Sequence, residues 1–323
     1  MNQRTYVHHQ QLMDTVIEIE NLAMDFRVGF WRKRSVPVLK GISLSVNQGE
    51  IFGFLGHNGA GKTTTLKILM RIIYPTAGQV KILGRPLEDV AMRQHIGYLP
   101  ETPYFYDYLT GTELLEYFGK LHHMNAAHRA KRIPEILEMV GLAKDAKLQL
   151  RKFSKGMLQR IGIAQAILHD PEVVFMDEPM SGLDPIGRRE VRDIIVSLRD
   201  QGKTVFFSTH ILSDVEILCD RVAILRNGER VAYGRLDEIQ GREISALEVI
   251  TSLVPEMVIN QIRPFTTHIK QTAAGVHFTL KKDAELELER IISIVHQNGG
   301  RLISVNPIRT ALEDFFIKDV KSA

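Results

Sequence analysis

Residues 56–64 have the sequence Gly-His-Asn-Gly-Ala-Gly-Lys-Thr-Thr, and this stretch decides the fold. Its fixed positions match the phosphate-binding P-loop pattern G-x-x-x-x-G-K-[ST]. A triphosphate has to be surrounded by backbone N–H groups, and glycines let the backbone approach and turn. Lys62 can reach the β- and γ-phosphates, and the Thr63 hydroxyl can coordinate Mg²⁺. The pattern predicts a nucleotide site formed by Gly56, His57, Asn58, Gly59, Ala60, Gly61, Lys62, Thr63 and Thr64.

The sequence on both sides of this loop supports the assignment. Residues 51–55 are a short apolar run that is typical of a buried strand. Residues 63–73 place apolar side chains on one helical face, and Pro75 follows as a stop signal. The loop is therefore expected between a strand and a helix, so that the positive end of the helix dipole faces the phosphates. A chance match of the four fixed positions is expected roughly once in a hundred chains of this length.

The composition is that of an ordinary globular protein, with 44% apolar and 24% charged residues among 323. This length predicts two domains, or one large domain with an appendage. The net charge of +3 gives no argument for nucleic acid, and we expect no such partner. One cysteine, Cys219, excludes an intramolecular disulfide and fits a reducing compartment. No apolar stretch approaches the ~18 residues of a membrane-spanning helix.

The chain divides into three parts by pattern. Residues 1–14 are polar without an apolar signal core, so we expect a disordered tail and no export, with Met1 or Met13 as the start. Residues 15–240 alternate strands and helices around the P-loop, with a mostly helical insert at about 101–170. This order predicts an α/β P-loop NTPase with a RecA-like core and N-terminal antiparallel strands. The βαββαβ order and final helix of residues 241–323 predict a small α+β domain, ferredoxin-like or ACT-like.

Two adjacent carboxylates, Asp177 and Glu178, follow the continuously apolar residues 173–176. Such a run is typical of a central parallel strand, and ligands of open α/β sheets bind at the carboxyl ends of strands. Asp177 can hold Mg²⁺ through water, and Glu178 can polarise an attacking water. The alternative is a solvated acidic turn.

Three weaker signals point to the same chemistry. Ser154 and Gly156 open a helix and can bind a phosphate there, although serine is a common N-cap residue. Glu101 enters the helical insert from the sheet and can contact Mg²⁺, or it is a surface carboxylate. His210 ends a strand and can donate a hydrogen bond to a γ-phosphate, although a lone histidine is more often structural.

The order of these elements resembles that of ABC-type ATPases over about residues 16–235. The resemblance implies a Walker A loop at 56–64, the Q-loop position at Glu101, the signature at 153–157, Walker B at Asp177 and Glu178, the D-loop at 181–185 and the switch histidine at His210. It further implies that Lys62, Glu178 and His210 are catalytic, and that Thr63, Asp177 and Glu101 are metal ligands. Phe26 lies where the family has an aromatic residue that stacks on adenine, although Phe30 or Trp31 could substitute.

The family resemblance also implies partners and cofactors. In this family two ATPase modules enclose ATP and Mg²⁺, and each site joins the Walker A loop of one chain to the signature of the other. We therefore expect a homodimer or a paired sibling subunit, held at the cytoplasmic face of the inner or plasma membrane by a polytopic permease subunit. Residues 104–108, Tyr-Phe-Tyr-Asp-Tyr, could line the groove for a permease helix, and core packing explains them equally well.

Two departures from the family pattern suggest the direction of transport. The usual signature Leu-Ser-Gly-Gly-Gln is Phe-Ser-Lys-Gly-Met at 153–157, and the usual Q-loop glutamine is Glu101. Both departures resemble ATPase subunits of drug, sodium and polysaccharide exporters, which often carry a C-terminal extension like the one ending at 312–316. We therefore expect an ATP hydrolase that drives an exporter. The alternatives are an importer ATPase with a C-terminal regulatory domain and a soluble ABC ATPase without a membrane partner.

Overall fold

The computed structural model describes residues 15–29, 34–239, 244–272, 275–281 and 284–309. These residues form two compact units, and the boundary lies between Leu236 and Asp237. Several expectations fall on residues outside the described ranges. They concern the tail 1–14, the aromatic residues Phe30 and Trp31, the final helix at 310–320 and the chain ending at 312–316.

The strands, in chain order, are β1 Thr15–Val28, β2 Arg34–Asn47, β3 Ile51–Gly56, β4 Ala77–Ile82, β5 Arg85–Pro86, β6 Ile96–Leu99, β7 Val173–Asp177, β8 Thr204–Thr209, β9 Arg221–Arg226, β10 Glu229–Arg235, β11 Ile244–Thr251, β12 His268–Thr272, β13 Gly275–Lys281 and β14 Leu302–Arg309. The α-helices are α1 Lys62–Leu69, α2 Gly111–Leu121, α3 Ala126–Met139, α4 Lys155–Ile167, α5 Pro185–Asp200, α6 Leu212–Leu218, α7 Leu236–Ile239, α8 Glu256–Ile262 and α9 Glu285–Gln297. In the described part of the chain, these elements form three separate sheets.

The first sheet has the order β2-β1-β4-β5 and is antiparallel, as expected for the N-terminal strands. The apolar pattern of residues 38–46 predicts one or two strands, broken at Gly41. The structure has one continuous strand, in which Ile42 faces Leu22 and Lys40 faces Ala23. Gly41 is thus the extra residue of a β-bulge, and its φ of +85° is a conformation that glycine adopts without strain.

The second sheet has the order β10-β9-β3-β8-β7-β6 and is parallel except for β10. β3, β7 and β8 are buried along their whole length, which explains their continuous apolar sequence. Alternate residues of these strands enter two different cores, with Val174 and Met176 on one side and Val173 and Phe175 on the other. The carboxyl ends of β3, β7 and β8 meet at one edge of the sheet, where the predicted site residues lie.

The helical insert contains α2, α3 and α4. The sequence Thr-Gly-Thr-Glu at 110–113 predicts a capping box at its start. The box is present, because Glu113 N donates to Thr110 Oγ1 at 3.2 Å and Thr110 N donates to Glu113 Oε2 at 2.8 Å. The helix after the P-loop is shorter than predicted, since α1 ends at Leu69 instead of Ile73. Arg71 adopts a left-handed φ of +53° and ends the helix well before Pro75.

The second unit has the predicted βαββαβ order within residues 244–309. Its sheet runs β12-β13-β11-β14, and all neighbouring strands are antiparallel. This is the split βαβ arrangement of ferredoxin-like domains. α8 and α9 cover one face, with a core that includes Val249, Phe278 and Ile291. Across the described ranges, no helix combines the length and the apolar character needed to cross a bilayer.

Candidate functional site

The P-loop connects the end of β3 to the start of α1. Gly61 precedes α1 with a φ of +109°, and no side chain caps the first turn. The N–H groups of that turn are therefore available to an anion. A Cβ atom on Gly61 would lie 2.5 Å from Leu39 Cδ2, and one on Gly56 would lie 2.8 Å from the Leu225 carbonyl oxygen. Close packing thus requires glycine at both positions.

The Lys62 side chain lies inside the loop. Its ammonium donates to the carbonyl oxygens of Gly56 at 2.7 Å and His57 at 3.3 Å. It also lies 3.1 Å from Glu178 Oε1, and the two side chains are only 5% and 6% exposed. A buried charge is stable only when it is paired and hydrogen-bonded, and Lys62 satisfies both conditions. The structure therefore places the predicted phosphate-binding cation directly beside the predicted water-activating carboxylate.

Asp177 ends β7 and is completely buried. Ser208 Oγ, on the neighbouring strand β8, donates to Asp177 Oδ1 at 2.6 Å and accepts from Glu178 N at 3.0 Å. Burial raises the pKa of the Asp177 carboxyl, and the hydroxyls of Ser208 and Thr63 oppose that shift. Asp177 Oδ2 is buried and has no hydrogen-bond partner among the described residues. Ser208 was not predicted as a site residue, because its only signal in the sequence is a hydroxyl at the end of a predicted strand.

Glu178 and His210 form a second pair at this edge of the sheet. His210 Nδ1 lies 2.8 Å from Glu178 Oε2. Glu178 has a left-handed φ of +49°, a strained conformation for a residue with a side chain and one that often marks functional sites. The hydrogen bond from His210 to a phosphate stays a prediction, and in the structure His210 Nδ1 lies against the Glu178 carboxylate.

Lys62 and Glu178 border an open cleft of about 380 Å³. Its lining residues are Val38, Asn58, Gly59, Gly61, Lys62, Thr63, Thr64, Glu101 and Glu178. Glu101 thus lines the same cleft as the P-loop, and its contact with Mg²⁺ stays a prediction. Phe26 does not line this cleft; it pairs with Val36 in the first sheet and is 37% exposed. Val38, which was not predicted as a site residue, is an apolar residue that lines the cleft.

The start of α4 lies apart from this cleft. Ser154 is the N-cap residue of α4, and its hydroxyl accepts from Met157 N at 3.2 Å. Neither Ser154 nor Gly156 lines the P-loop cleft. Lys155 extends across the 181–185 loop, because a Cβ atom on Gly182 would lie 2.1 Å from Lys155 Nζ. The structure therefore brings together the two segments predicted as signature and D-loop.

The oxygen atoms at the cleft suit a magnesium ion. Asp177 Oδ2 has no partner, the Thr63 hydroxyl lies close enough to act on that carboxyl, and Glu101 lines the rim. Hard cations prefer such oxygen ligands, and Mg²⁺ in nucleotide sites takes one or two from the protein and others from phosphates and water. The described part of the chain holds no cluster of three or more His, Cys, Asp or Glu residues suited to a metal. The donor set fits an ion that binds together with a nucleotide.

The site defines a P-loop nucleoside triphosphatase, because a parallel sheet carries a P-loop at its carboxyl edge together with a buried aspartate and an adjacent glutamate.

A family model described as ABC transporter matches residues 39–181. An ABC transporter ATP-binding protein of Synechocystis sp. is 45% identical over 308 residues, which cover 95% of this chain and 85% of that protein. A bacitracin transport ATP-binding protein of Bacillus licheniformis is 37% identical over 284 residues, which cover 86% of this chain and 90% of that protein.

The structure is also similar to a solved structure described as the ATP-binding subunit of an ABC transporter, with a TM-score of 0.61 and 33% sequence identity. The match covers 70% of this chain and 92% of the chain in that structure. The chain therefore belongs to the family of ABC transporter ATP-binding proteins. The family resemblance inferred from the order of motifs is confirmed, and so are the P-loop NTPase fold and the ATPase activity.

Proposed function

We propose that this chain binds Mg-ATP in a head-to-tail dimer of ATPase subunits and that hydrolysis drives export by a separate polytopic membrane subunit. The observation that carries the proposal is the buried network at the cleft, in which Glu178 contacts Lys62 at 3.1 Å and His210 at 2.8 Å. It joins a phosphate-binding cation, a carboxylate and an orienting histidine within one edge of the sheet.

The network suggests how the residues divide the work. The N–H groups of residues 56–64 and the Lys62 ammonium hold the phosphates, and a triphosphate then competes with Glu178 for Lys62. Glu178, oriented by His210, acts on the attacking water as a general base or as the residue that positions it. Thr63 and Asp177, with Glu101 at the rim, would hold Mg²⁺, whose charge offsets that of the phosphates when it is bound.

The separation between the cleft and the start of α4 supports a dimer. Ser154 and Gly156 belong to the predicted signature and do not line the cleft of their own subunit. In a head-to-tail dimer they close the nucleotide site of the other subunit. Since the described residues contain one P-loop and one signature, the second set comes from another copy of the chain or from a sibling subunit.

An exposed aromatic surface supports docking to a membrane subunit. Tyr104, Tyr106 and Tyr108 are exposed, with Tyr104 reaching 94%, and only Phe105 of the 104–108 segment packs into a core. Core packing therefore does not account for the three tyrosines. The Tyr106 ring lies 5.9 Å from that of Tyr108 and 6.0 Å from that of Tyr117, which makes one continuous surface. We assign this surface to the permease, which would hold the chain at the cytoplasmic face of the membrane.

The direction of transport rests on two supports. The signature at 153–157 and Glu101 resemble exporter ATPases, and two similar proteins, from Bacillus licheniformis and Enterococcus faecalis, are named for bacitracin transport. An importer ATPase and a soluble ABC ATPase have less support, because neither accounts for both the signature residues and the exposed tyrosines.

The central test is Glu178→Gln in the full chain. We expect ATP binding to persist, a closed dimer to accumulate with ATP, and turnover to fall by about 1,000-fold or more, since the acidic group at the attacking water is removed. Glu172→Gln is the matched control, because Glu172 precedes the same strand, is exposed and pairs with His95 instead. Normal turnover in Glu178→Gln would remove Glu178 from the proposed mechanism.

The membrane partner is tested by isolating the tagged chain from detergent-solubilised native membranes and identifying its companions by mass spectrometry. We expect a stoichiometric polytopic companion, which is lost when Tyr104, Tyr106 and Tyr108 are replaced by alanine. Tyr74→Ala is the control and should retain the companion, because Tyr74 is an exposed tyrosine beside Arg71 and lies outside this surface. Companions that are ribosomal or DNA-repair proteins would contradict the transporter role.

A further inference from the structure

The turn between β9 and β10 lies against the P-loop. It consists of Asn227 and Gly228, whose φ values are +49° and +81°, and Arg226 pairs with Glu229 across it. Two successive residues with positive φ make the tight hairpin turn for which Asn-Gly is a preferred sequence. Gly228 is buried, although turns usually lie on the surface, and the proposed mechanism gives it no role.

Gly228 uses its two backbone groups to bind two different segments of the chain. Its N–H donates to the carbonyl oxygen of Ala60, inside the P-loop, at 3.2 Å. Its own carbonyl oxygen accepts from Lys40 N on β2 at 2.9 Å. Both bonds lie outside the ladders of the sheets. Since β2 belongs to the first sheet and the P-loop follows β3 of the second, Gly228 joins the two sheets beside the nucleotide site.

The approach of the turn to β2 is too close for any side chain. A Cβ atom on Gly228 would collide with the Val38 carbonyl oxygen and would lie 3.5 Å from Leu39 Cα. From the P-loop, a Cβ atom on Gly61 would lie 2.5 Å from Leu39 Cδ2 and 3.2 Å from the Val38 carbonyl oxygen. Residues 38 and 39 therefore pack against both the P-loop and the turn, and each of these contacts requires a glycine.

Further along β10, side chains fix the same hairpin to β2. The Tyr233 hydroxyl donates to the Ser45 carbonyl oxygen at 2.8 Å, and Arg230 Nη1 donates to the Ser43 carbonyl oxygen. These bonds hold the hairpin along its length. The position of Gly228 relative to β2 is thus set by several contacts and not by its own two hydrogen bonds alone.

The segments that Gly228 joins form two walls of the nucleotide cleft. Val38 lines the cleft from β2, and Asn58, Gly59 and Gly61 line it from the P-loop. A triphosphate occupies the P-loop, so the rest of the nucleotide extends along the cleft beyond it. One ligand can contact both walls only when their separation is held within a fraction of an ångström.

We propose that Gly228 is a positioning residue for nucleotide binding, which holds the Val38 wall of the cleft against the P-loop. Its N–H holds the P-loop, its carbonyl oxygen holds β2, and its lack of a side chain lets the three segments approach. The inference concerns ATP binding by a single subunit. It does not depend on the proposed dimer, on the role of Glu178 or on the direction of transport.

Gly228→Ala in the full chain tests this role. The affinities for ATP and for inorganic tripolyphosphate are measured by titration, and kcat and KM by steady-state hydrolysis. We expect the ATP affinity to fall by about 10- to 100-fold and KM to rise in parallel, because one wall of the cleft is displaced. At saturating ATP, kcat should stay within about twofold, and the tripolyphosphate affinity within about threefold, since the P-loop amides remain in place.

Gly202→Ala is the matched control. Gly202 has the same φ of +81°, in the turn after α5, and none of the described atoms lies within 4 Å of a Cβ built there. Both substitutions strain the backbone and should lower the unfolding temperature by a few degrees. Only Gly228→Ala should weaken ATP binding. A residue that serves the fold alone would change the unfolding temperature and leave KM unchanged.

Gly228→Asn separates backbone strain from the collision with β2. Asparagine adopts positive φ more readily than alanine, but its Cβ atom meets the same Val38 carbonyl oxygen. We expect this variant to be more stable than Gly228→Ala and to show the same loss of ATP affinity. It also keeps the test decisive if Gly228→Ala fails to fold.

Three results would overturn the proposal. ATP affinity could be unchanged in the Gly228 variants, or asparagine could restore it, which would leave backbone strain as the only effect. ATP and tripolyphosphate could also lose affinity equally, which would restrict the turn to the P-loop. Glu178→Gln is an independent test: lost turnover there with normal Gly228 variants would keep the proposed mechanism and reject this role of Gly228, and the reverse outcome would keep only the role of Gly228.

Discussion

The starts of α1 and α4 both carry sequences suited to phosphate, but they are built in opposite ways. α1 begins after Gly61 without a side-chain cap, and the buried charges of Lys62 and Glu178 lie beside it. α4 begins after Ser154, which satisfies Met157 N with its own hydroxyl and is exposed. One subunit therefore forms the phosphate-binding part of the nucleotide site at α1 by itself. The start of α4 carries its donors on an exposed surface, and under the proposed function it binds a phosphate only when the partner subunit covers it.

The largest contrast is expected between alanine substitutions at Gly61 and Gly156. Gly61→Ala places a side chain at a φ of +109° and 2.5 Å from Leu39 Cδ2. Strain and overpacking should cost about 2–4 kcal/mol, expressed as lost stability and as a roughly 100-fold loss of ATP affinity. Thermal unfolding and nucleotide titration of the purified chain measure both effects.

Gly156→Ala should behave in the opposite way. The nearest atom to a Cβ at this position is Ser154 Oγ at 4.0 Å, so the substitution meets no obstacle within one subunit. Alanine is the better helix former by up to ~1 kcal/mol, and stability should be equal or slightly higher. ATP binding to one subunit should be unchanged, whereas ATP-induced dimer closure should weaken. Equal loss of ATP affinity in both variants would contradict the division between a complete site and a half site.

The parts of this picture that depend on local sequence were predictable. The P-loop, the carboxylates after a buried strand and the capping box at Thr110 are patterns of neighbouring residues, and each lies in the expected element. The βαββαβ order of the second unit was likewise visible from periodicity. The predicted end of α1 was wrong, because the left-handed φ of Arg71, which ends the helix, leaves no signal in the sequence.

Other features depend on which strands are neighbours. Ser208 meets Asp177 because β7 and β8 are adjacent and in register, and the order of strands in a sheet cannot be read from their sequences. His210 reaches Glu178 for the same reason. In the proposed dimer, the other half of the site at α4 lies in a second subunit, and this would account for the absence of Ser154 and Gly156 from the cleft lining.

Burial of the Asp177 carboxyl should make the stability of the chain depend on pH. The pKa of Asp177 is raised, so the folded chain keeps this proton at pH values where the unfolded chain has lost it. The free energy of unfolding therefore falls as the pH rises from the ordinary pKa of an aspartate, which applies in the unfolded chain, through the raised pKa of Asp177 in the folded chain. Without Mg²⁺, Asp177→Asn should raise the unfolding temperature at pH values above this interval and should have little effect at pH values below it.

Magnesium should reverse this balance. Above the raised pKa of Asp177 the carboxylate is available to Mg²⁺, and below it the proton competes with the ion. We expect the Mg²⁺-dependent part of ATP affinity to weaken as pH falls through the raised pKa, and to be reduced at all pH values in Asp177→Asn. An unfolding temperature that does not depend on Mg²⁺ and ATP in the unmodified chain would argue against an ion at Asp177.

The smallest effect on the fold is expected at Ser154, and a substitution there tests most directly whether the start of α4 is half of a site. Ser154→Ala removes the N-cap of α4 and should cost about 1 kcal/mol of stability. Asn125→Ala is the matched control, because Asn125 caps α3 in the same way by accepting from His128 N at 2.8 Å. The two variants should lose similar stability, measured by denaturant unfolding.

Only Ser154→Ala should also lower ATP turnover, by about 10-fold, since a hydrogen bond to a charged phosphate of the partner's nucleotide is lost as well. If both variants retain full turnover, Ser154 serves α4 only as a cap, and the closing surface of the second nucleotide site has to be sought elsewhere on the chain.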